Sequence, residues 1–114
     1  MDIKRINPRE WNSNAAVFGD LVFLSGMVAD DKSQDMKGQT AQVLKKIDAV
    51  LAQAGTNKSR ILSATVYMAD ASQKDAMNEA WMAWVDRVNL PTRTAVGADL
   101  TPGTMVEITI CAAK

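Results

Sequence analysis

Histidine is absent from this chain of 114 residues, so no His-based triad, imidazole proton shuttle or common catalytic zinc site can be built from it. Cysteine occurs once, at Cys111, which excludes an intrachain disulfide framework and makes the reducing cytoplasm the expected compartment. An excess of either charge is also missing. Thirteen Lys and Arg balance thirteen Asp and Glu, dispersed along the chain, so there is no footprint for gripping a phosphate backbone and nucleic acid is not an expected partner. Long hydrophobic runs are lacking too. The longest, Ala15 to Ala29, is broken by Gly19, Asp20 and Ser25, and the opening MDIKRINPRE has no apolar signal core, so no membrane segment is expected. There is no Gly-rich phosphate loop. Asp30, Asp31 and Asp35 lack the fixed glycine and terminal glutamate of an EF-hand and read as a solvated loop, not a metal site. Chemistry is left to carboxylates, Arg, Lys, hydroxyls, backbone groups and water, and no cofactor is expected.

What is present is an ordinary globular composition, 47% apolar, at the length of one domain spanning residues 1–114. So short a chain buries only about two-thirds of its unfolded surface. One subunit has little room for both a core and a deep pocket, and a pocket shared between subunits is expected.

Ile3 to Ile6 reads as a strand stopped by Asn7-Pro8. Ala15 to Phe18 and Leu21 to Gly26 follow as two more, joined by a tight turn at Gly19-Asp20. From Asp35 to Ala54, the residues Met36, Val43, Leu44, Ile47, Val50, Leu51 and Ala54 recur at steps of three and four, the stripe of an amphipathic helix. Asp35 is placed to cap its start and Gly55 to close its end. Ile61 to Met68 is strand-like. A capping signal at Asp70-Ala71-Ser72, with Asp75 three residues after Ser72, opens a second helix, whose apolar face carries Ala76, Met77, Ala80, Trp81, Trp84 and Val85. It must end before Pro91. Thr94 to Ala98 and Met105 to Ala112 complete the strands, separated by a turn at Thr101 to Gly103. The order β-β-β-α-β-α-β-β predicts an α+β sandwich: a mixed sheet with two helices on one face. The uncovered face predicts association with further subunits. Trp81, Trp84 and Met77 read as packing residues, and Cys111 as a buried hydrophobe.

The C-terminal third, PTRTAVGADLTPGTMVEITICAA, departs from the generic. Pro91-Thr92-Arg93 enters a strand, and Glu107 lies fourteen positions further on in the last one. This pairing resembles the signature of the Rid (reactive intermediate deaminase, YjgF-like) family. Gly19 to Gly26, ending in Ser25-Gly26, resembles the family's early strand, and Gln39-Thr40 with Ile47 to Gly55 resembles its first helix. The likeness runs from about Ile3 to Ala112. It implies a chorismate-mutase-like fold, a homotrimer with a pocket at each subunit interface, and hydrolysis of enamine and imine intermediates to 2-keto acids and ammonia. The implied ligand is a small imino, enamino or keto acid. The resemblance makes Arg93 the anchor of the substrate carboxylate, puts Glu107 beside the water and the reacting nitrogen, and sets Ser25 near the ligand.

Elementary chemistry agrees with these roles. A guanidinium meets a carboxylate with two parallel charge-assisted hydrogen bonds, which a lysine does not reproduce. Imine hydrolysis needs proton transfers that one well-placed carboxyl can relay. Alternation puts Glu107 on one face with Met105 and Thr109, and Arg93 and Glu107 are expected to converge from neighbouring strands on one cavity. Two positions depart from the family pattern. Trp11 stands where many members carry an early tyrosine, offering an aromatic wall without a hydroxyl. Ala95 stands where cysteine is frequent, leaving only its backbone groups for contact. These departures point to a divergent subgroup, and they leave open an alternative: a non-catalytic module that binds small carboxylates or stabilises other proteins.

Overall fold

The computed structural model describes residues 1–114. Seven strands and two α-helices follow one another as β1 (Ile3–Pro8), β2 (Ser13–Phe18), β3 (Leu21–Leu24), β4 (Met27–Val28), α1 (Met36–Gln53), β5 (Ile61–Met68), α2 (Lys74–Trp84), β6 (Thr92–Gly97) and β7 (Val106–Ala113). All strands join one sheet in the order β1-β2-β3-β7-β5-β6, with β4 also paired to β7. Every pairing is antiparallel except β5 with β6. The parallel pair follows from α2, which carries the chain back across the sheet before β6 begins. Both helices lie on one face, as the sequence predicts.

β7 organises the sandwich by strict alternation. Val106, Ile108, Ile110 and Ala112 are buried beneath the helices, whereas Glu107, Thr109 and Cys111 point to the other side. Ala64, Val66 and Met68 of β5 and Val22 and Leu24 of β3 extend the buried row. From α1 come Met36, Val43, Leu44, Ile47, Val50 and Leu51, all buried. Full burial of each large aliphatic side chain contributes roughly 1.5–3 kcal/mol. The gap in this stripe is filled by two polar residues with no exposure, Gln39 and Thr40. The Gln39 amide donates to the carbonyls of Lys32, Gln34 and Gly103, and its oxygen accepts from the Met105 amide at 3.0 Å. One side chain therefore ties the loop before α1 to the turn before β7.

Several boundaries differ from the sequence expectation. β1 does not stop at Ile6: it runs through Pro8, which pairs with Ser13. An edge strand tolerates the missing amide, and Asn7 takes a left-handed φ of 50° that asparagine adopts more readily than most residues. The turn at Gly19-Asp20 is the expected two-residue hairpin, with Phe18 opposite Leu21 and Gly19 at φ 58°. Asp35 caps α1 through the Gly38 amide, and Gly55 closes it at φ 83°. The capping box at α2 is not formed. Asp70 instead accepts from the Ser72 amide and hydroxyl and caps a short 3-10 turn, while α2 starts at Lys74 with no side-chain cap. The Asx turn two residues away satisfies Ser72 locally and takes it out of reach of Asp75. β6 begins at Thr92, so Arg93 lies inside the strand instead of before it.

The sheet face without helices carries cross-strand rows: Phe23, Cys111, Ser63 and Thr92; then Thr109, Thr65 and Thr94; then Val28, Glu107, Tyr67 and Val96. Cys111 is thus half-buried on this open face and not part of the core. Partial burial raises its thiol above the usual value, away from thiolate reactivity.

Candidate functional site

The sheet breaks between β3 and β4, and that break builds one half of the candidate site. From Phe23 to Met27 the chain advances four residues while β7 advances three, from Cys111 to Ile108, so Ser25-Gly26 carries one residue in excess and bulges. The bulge is pinned. Ser25 donates its hydroxyl to the Ser13 carbonyl at 2.6 Å and its amide to the Asn14 carbonyl at 3.0 Å, while Thr109 donates its hydroxyl to the Leu24 carbonyl at 2.9 Å. Glu107 stands beside it: a Cβ on Gly26 would collide with the Glu107 carboxylate, so glycine leaves that carboxylate its place. The two salt bridges of the chain, Lys37–Glu79 and Lys46–Asp30, do not involve Glu107. A cavity of about 510 Å³ opens at the bulge, lined among others by Arg5, Arg9, Asn12, Ser13, Phe23 and Ser25.

Arg93 forms the other half, at the free edge of the sheet. β6 is the terminal strand, and Arg93 lies opposite the buried Ala64 of β5, so its side chain leaves on the helix side. Its guanidinium carbon sits 5.1 Å from the centroid of the Trp81 ring, and Nη1 approaches the Met77 sulfur at 3.8 Å. Burial against α2 lowers the guanidinium from its usual value. Arginine starts so far above neutrality that the group stays charged. A cavity of about 350 Å³ lies alongside, between α2 and Leu90-Pro91.

One chain therefore does not bring Arg93 and Glu107 together. β5 lies between their strands, and the register sets Glu107 opposite Tyr67 on the open face but Arg93 opposite Ala64 on the helix face. The expectation that the two strands are neighbours is corrected, because β5 separates them, and within one chain the two side chains share no cavity. Ser25 and Glu107 meet at the bulge. Ala95 follows Arg93 along β6 and packs against the core, so it lines neither cavity. Trp11 is 83% exposed and walls no pocket within its own chain. Trp81, read from sequence as packing alone, is 5% exposed and serves also as the platform under Arg93. Its spacing on α2 announced burial, but only the parallel docking of β6 supplies the cation. Trp84 bonds its indole nitrogen to Asp48 at 2.9 Å, which fastens α2 to α1.

The acidic loop is fully used by its own surroundings. Asp30 pairs with Lys46, Asp31 accepts from Ser33, and Asp35 caps α1.

A mixed sheet under two helices, bulged at Ser25-Gly26 and edged by a parallel strand bearing arginine, defines a chorismate-mutase-like α+β protein. The chain belongs to the YjgF/Rid family: the family model described as Endoribonuclease L-PSP matches residues 3–114. It is 44% identical over 112 residues to a RutC family protein of Haemophilus ducreyi, covering 97% of this chain and 96% of that one. It is 41% identical to the RutC family protein YoaB of Escherichia coli, over 99% of each. A crystal structure of a YjgF-family protein from Neisseria meningitidis superposes with a TM-score of 0.97 at 39% identity, covering 100% of this chain and 96% of that one. A Rid-family protein from Yersinia pestis superposes with a TM-score of 0.91 at 28% identity, covering 99% and 100%. No helix is long and apolar enough to cross a membrane.

Proposed function

We propose that this protein is a cofactor-independent deaminase that hydrolyses reactive 2-imino acids, and the enamines that tautomerise to them, to 2-keto acids and ammonia. The observation that carries the proposal is the Glu107 carboxylate, unpaired and held against the Ser25-Gly26 bulge. In this reading three copies associate through their open sheet faces, and the β6 edge of one copy brings Arg93 against the bulge of the next. Substrate then binds between subunits. The exposed Phe18 and Phe23 and the hydroxyl rows of the open face support such an association. The single cysteine suits work in the reducing cytoplasm.

The chemistry follows from the two groups. Arg93 takes the substrate carboxylate in a bidentate pair, with its guanidinium already oriented on Trp81. An enamine gains a proton at carbon from solvent to become the iminium, the same species that an imine forms by taking a proton at nitrogen. Water attacks the C=N carbon as the Glu107 carboxylate accepts a proton from it, giving a neutral carbinolamine. Glu107 returns that proton to nitrogen, and as the C–N bond breaks the hydroxyl proton passes through Glu107 back to solvent, so that ammonia leaves with a keto acid. One water is consumed for each ammonia released, and the carboxyl ends as it began.

The test is to generate an imino acid in situ with an amino-acid oxidase and follow its loss. Arg93→Ala is expected to lower kcat/KM by roughly tenfold to a hundredfold, the worth of a charge-assisted pair. Equal rates in wild type and variant would defeat the assignment. Trp11, exposed and without a phenol, favours one alternative, a small-carboxylate binding module. Saturable binding of 2-ketobutyrate without any acceleration would select it. The endoribonuclease of the family description receives no support from the charge balance, since the chain carries no net charge.

A further inference from the structure

Resting on the deaminase reading, we infer that the cavity at the Ser25-Gly26 bulge is a second anion subsite, and that the preferred substrates are dicarboxylic imino acids. The chain as a whole is neutral, yet this cavity is lined by two guanidiniums, Arg5 and Arg9, and by no carboxylate. Arg9 is held by its Nη2 donating to Asn14 Oδ1 at 2.7 Å. Arg5 stands on the open face of β1, in register with Ala16 and through it with Phe23, and the two salt bridges of the chain do not include either arginine. The polar side chains of Asn12 and Ser13 line the same cavity, together with Ser25 of the bulge.

The substrate's own geometry assigns the two ends. With its C1 carboxylate on the Arg93 of a neighbouring copy and its C=N carbon beside Glu107, the substrate has room to extend its side chain past the bulge into the cavity that Leu24 and Ser25 line. There it crosses the apolar wall of Phe23 and Ala16 and ends at the two guanidiniums. An aliphatic end would leave both cations facing methyl groups. A carboxylate meets them with charge-assisted bonds. The reaction is the same hydrolysis, so only the substrate class is new.

The experiment compares 2-iminoglutarate with 2-iminopentanoate, generated in situ from glutamate and norvaline by amino-acid oxidases. They have equal chain length and differ in the terminal carboxylate. Wild type is expected to favour the dicarboxylic substrate by about tenfold in kcat/KM, the worth of one such pair. Arg5→Gln and Arg9→Gln, both exposed and so compatible with an intact fold, are expected to bring that ratio down toward one. Equal or reversed preference in wild type, or a ratio unmoved by both variants, overturns the subsite while leaving the deaminase reading intact if Arg93→Ala still lowers kcat/KM as expected. Absence of turnover for both substrates sinks the deaminase reading. Calorimetric titration with 2-oxoglutarate and 2-oxopentanoate then decides the subsite separately: tighter dicarboxylate binding, lost in Arg5→Gln, supports it, and equal binding overturns it. Displacement of 2-oxoglutarate by a short single-stranded RNA at lower concentration would overturn it in favour of a phosphate site.

Discussion

The Arg93 guanidinium lies over the face of Trp81, with 5.1 Å between guanidinium carbon and ring centroid, joining the edge strand to α2. Trp81 is thus a positioning residue for the proposed carboxylate anchor, and its contribution separates from that of the charge itself. Trp81→Phe keeps an aromatic face of weaker attraction and leaves a gap in a site that is 5% exposed. It is expected to raise KM for an imino acid several-fold with kcat nearly constant, and to cost about 1–2 kcal/mol in a urea titration. A loss confined to kcat would contradict the positioning role.

Glu107 gives the opposite split. Glu107→Gln keeps the size of the side chain beside Gly26 but removes its capacity to accept a proton. The expected result is a fall in kcat of about 10²–10⁴-fold, the range of general acid-base catalysis, with a much smaller change in KM. Steady-state kinetics read both, and an unchanged kcat would remove Glu107 from the mechanism.

Gly26 tests whether the placement of that carboxylate matters. A methyl group at Gly26 meets the far end of the Glu107 side chain, which can swing aside, so Gly26→Ala is expected to fold nearly as stably as wild type while losing kcat by tenfold or more. Comparable losses in thermal stability and activity would show a folding defect instead of a displaced carboxylate.

Gln39 tests the fold. The two hydrogens of its buried amide are shared among three carbonyls and its oxygen accepts from a backbone amide, so Gln39→Leu leaves these backbone partners without it. The expected cost is about 3–5 kcal/mol, read as a lower urea midpoint with an unchanged slope. A change under 1 kcal/mol would mean that water replaces the amide.

The helices and most strands were legible because their signal is local. Six apolar residues of α1 and Ala54 at its C-cap recur at helical spacing, and all seven are buried. β7 alternates so regularly that the outward position of Glu107 follows from its number alone. Boundaries were lost where neighbours decide. Pro8 continues β1 only because that strand lies at an edge, and Ser72 leaves the capping box because Asp70 engages it first.

Composition and periodicity by themselves determined the element order apart from the two-residue β4 beyond the bulge, the two-layer sandwich and the exclusion of histidine chemistry, because each depends on residue types and short-range spacing. The relation of Arg93 to Glu107 was decided only by tertiary structure. Insertion of β5 between β6 and β7 and the parity of two registers send the side chains to opposite faces. Strand order and register are set by long-range pairing, and no count of residues between two positions encodes them. The gathering of Arg5 and Arg9 around one cavity has the same origin: antiparallel pairing of β1 with β2 folds two separate basic residues against the bulge that follows β3.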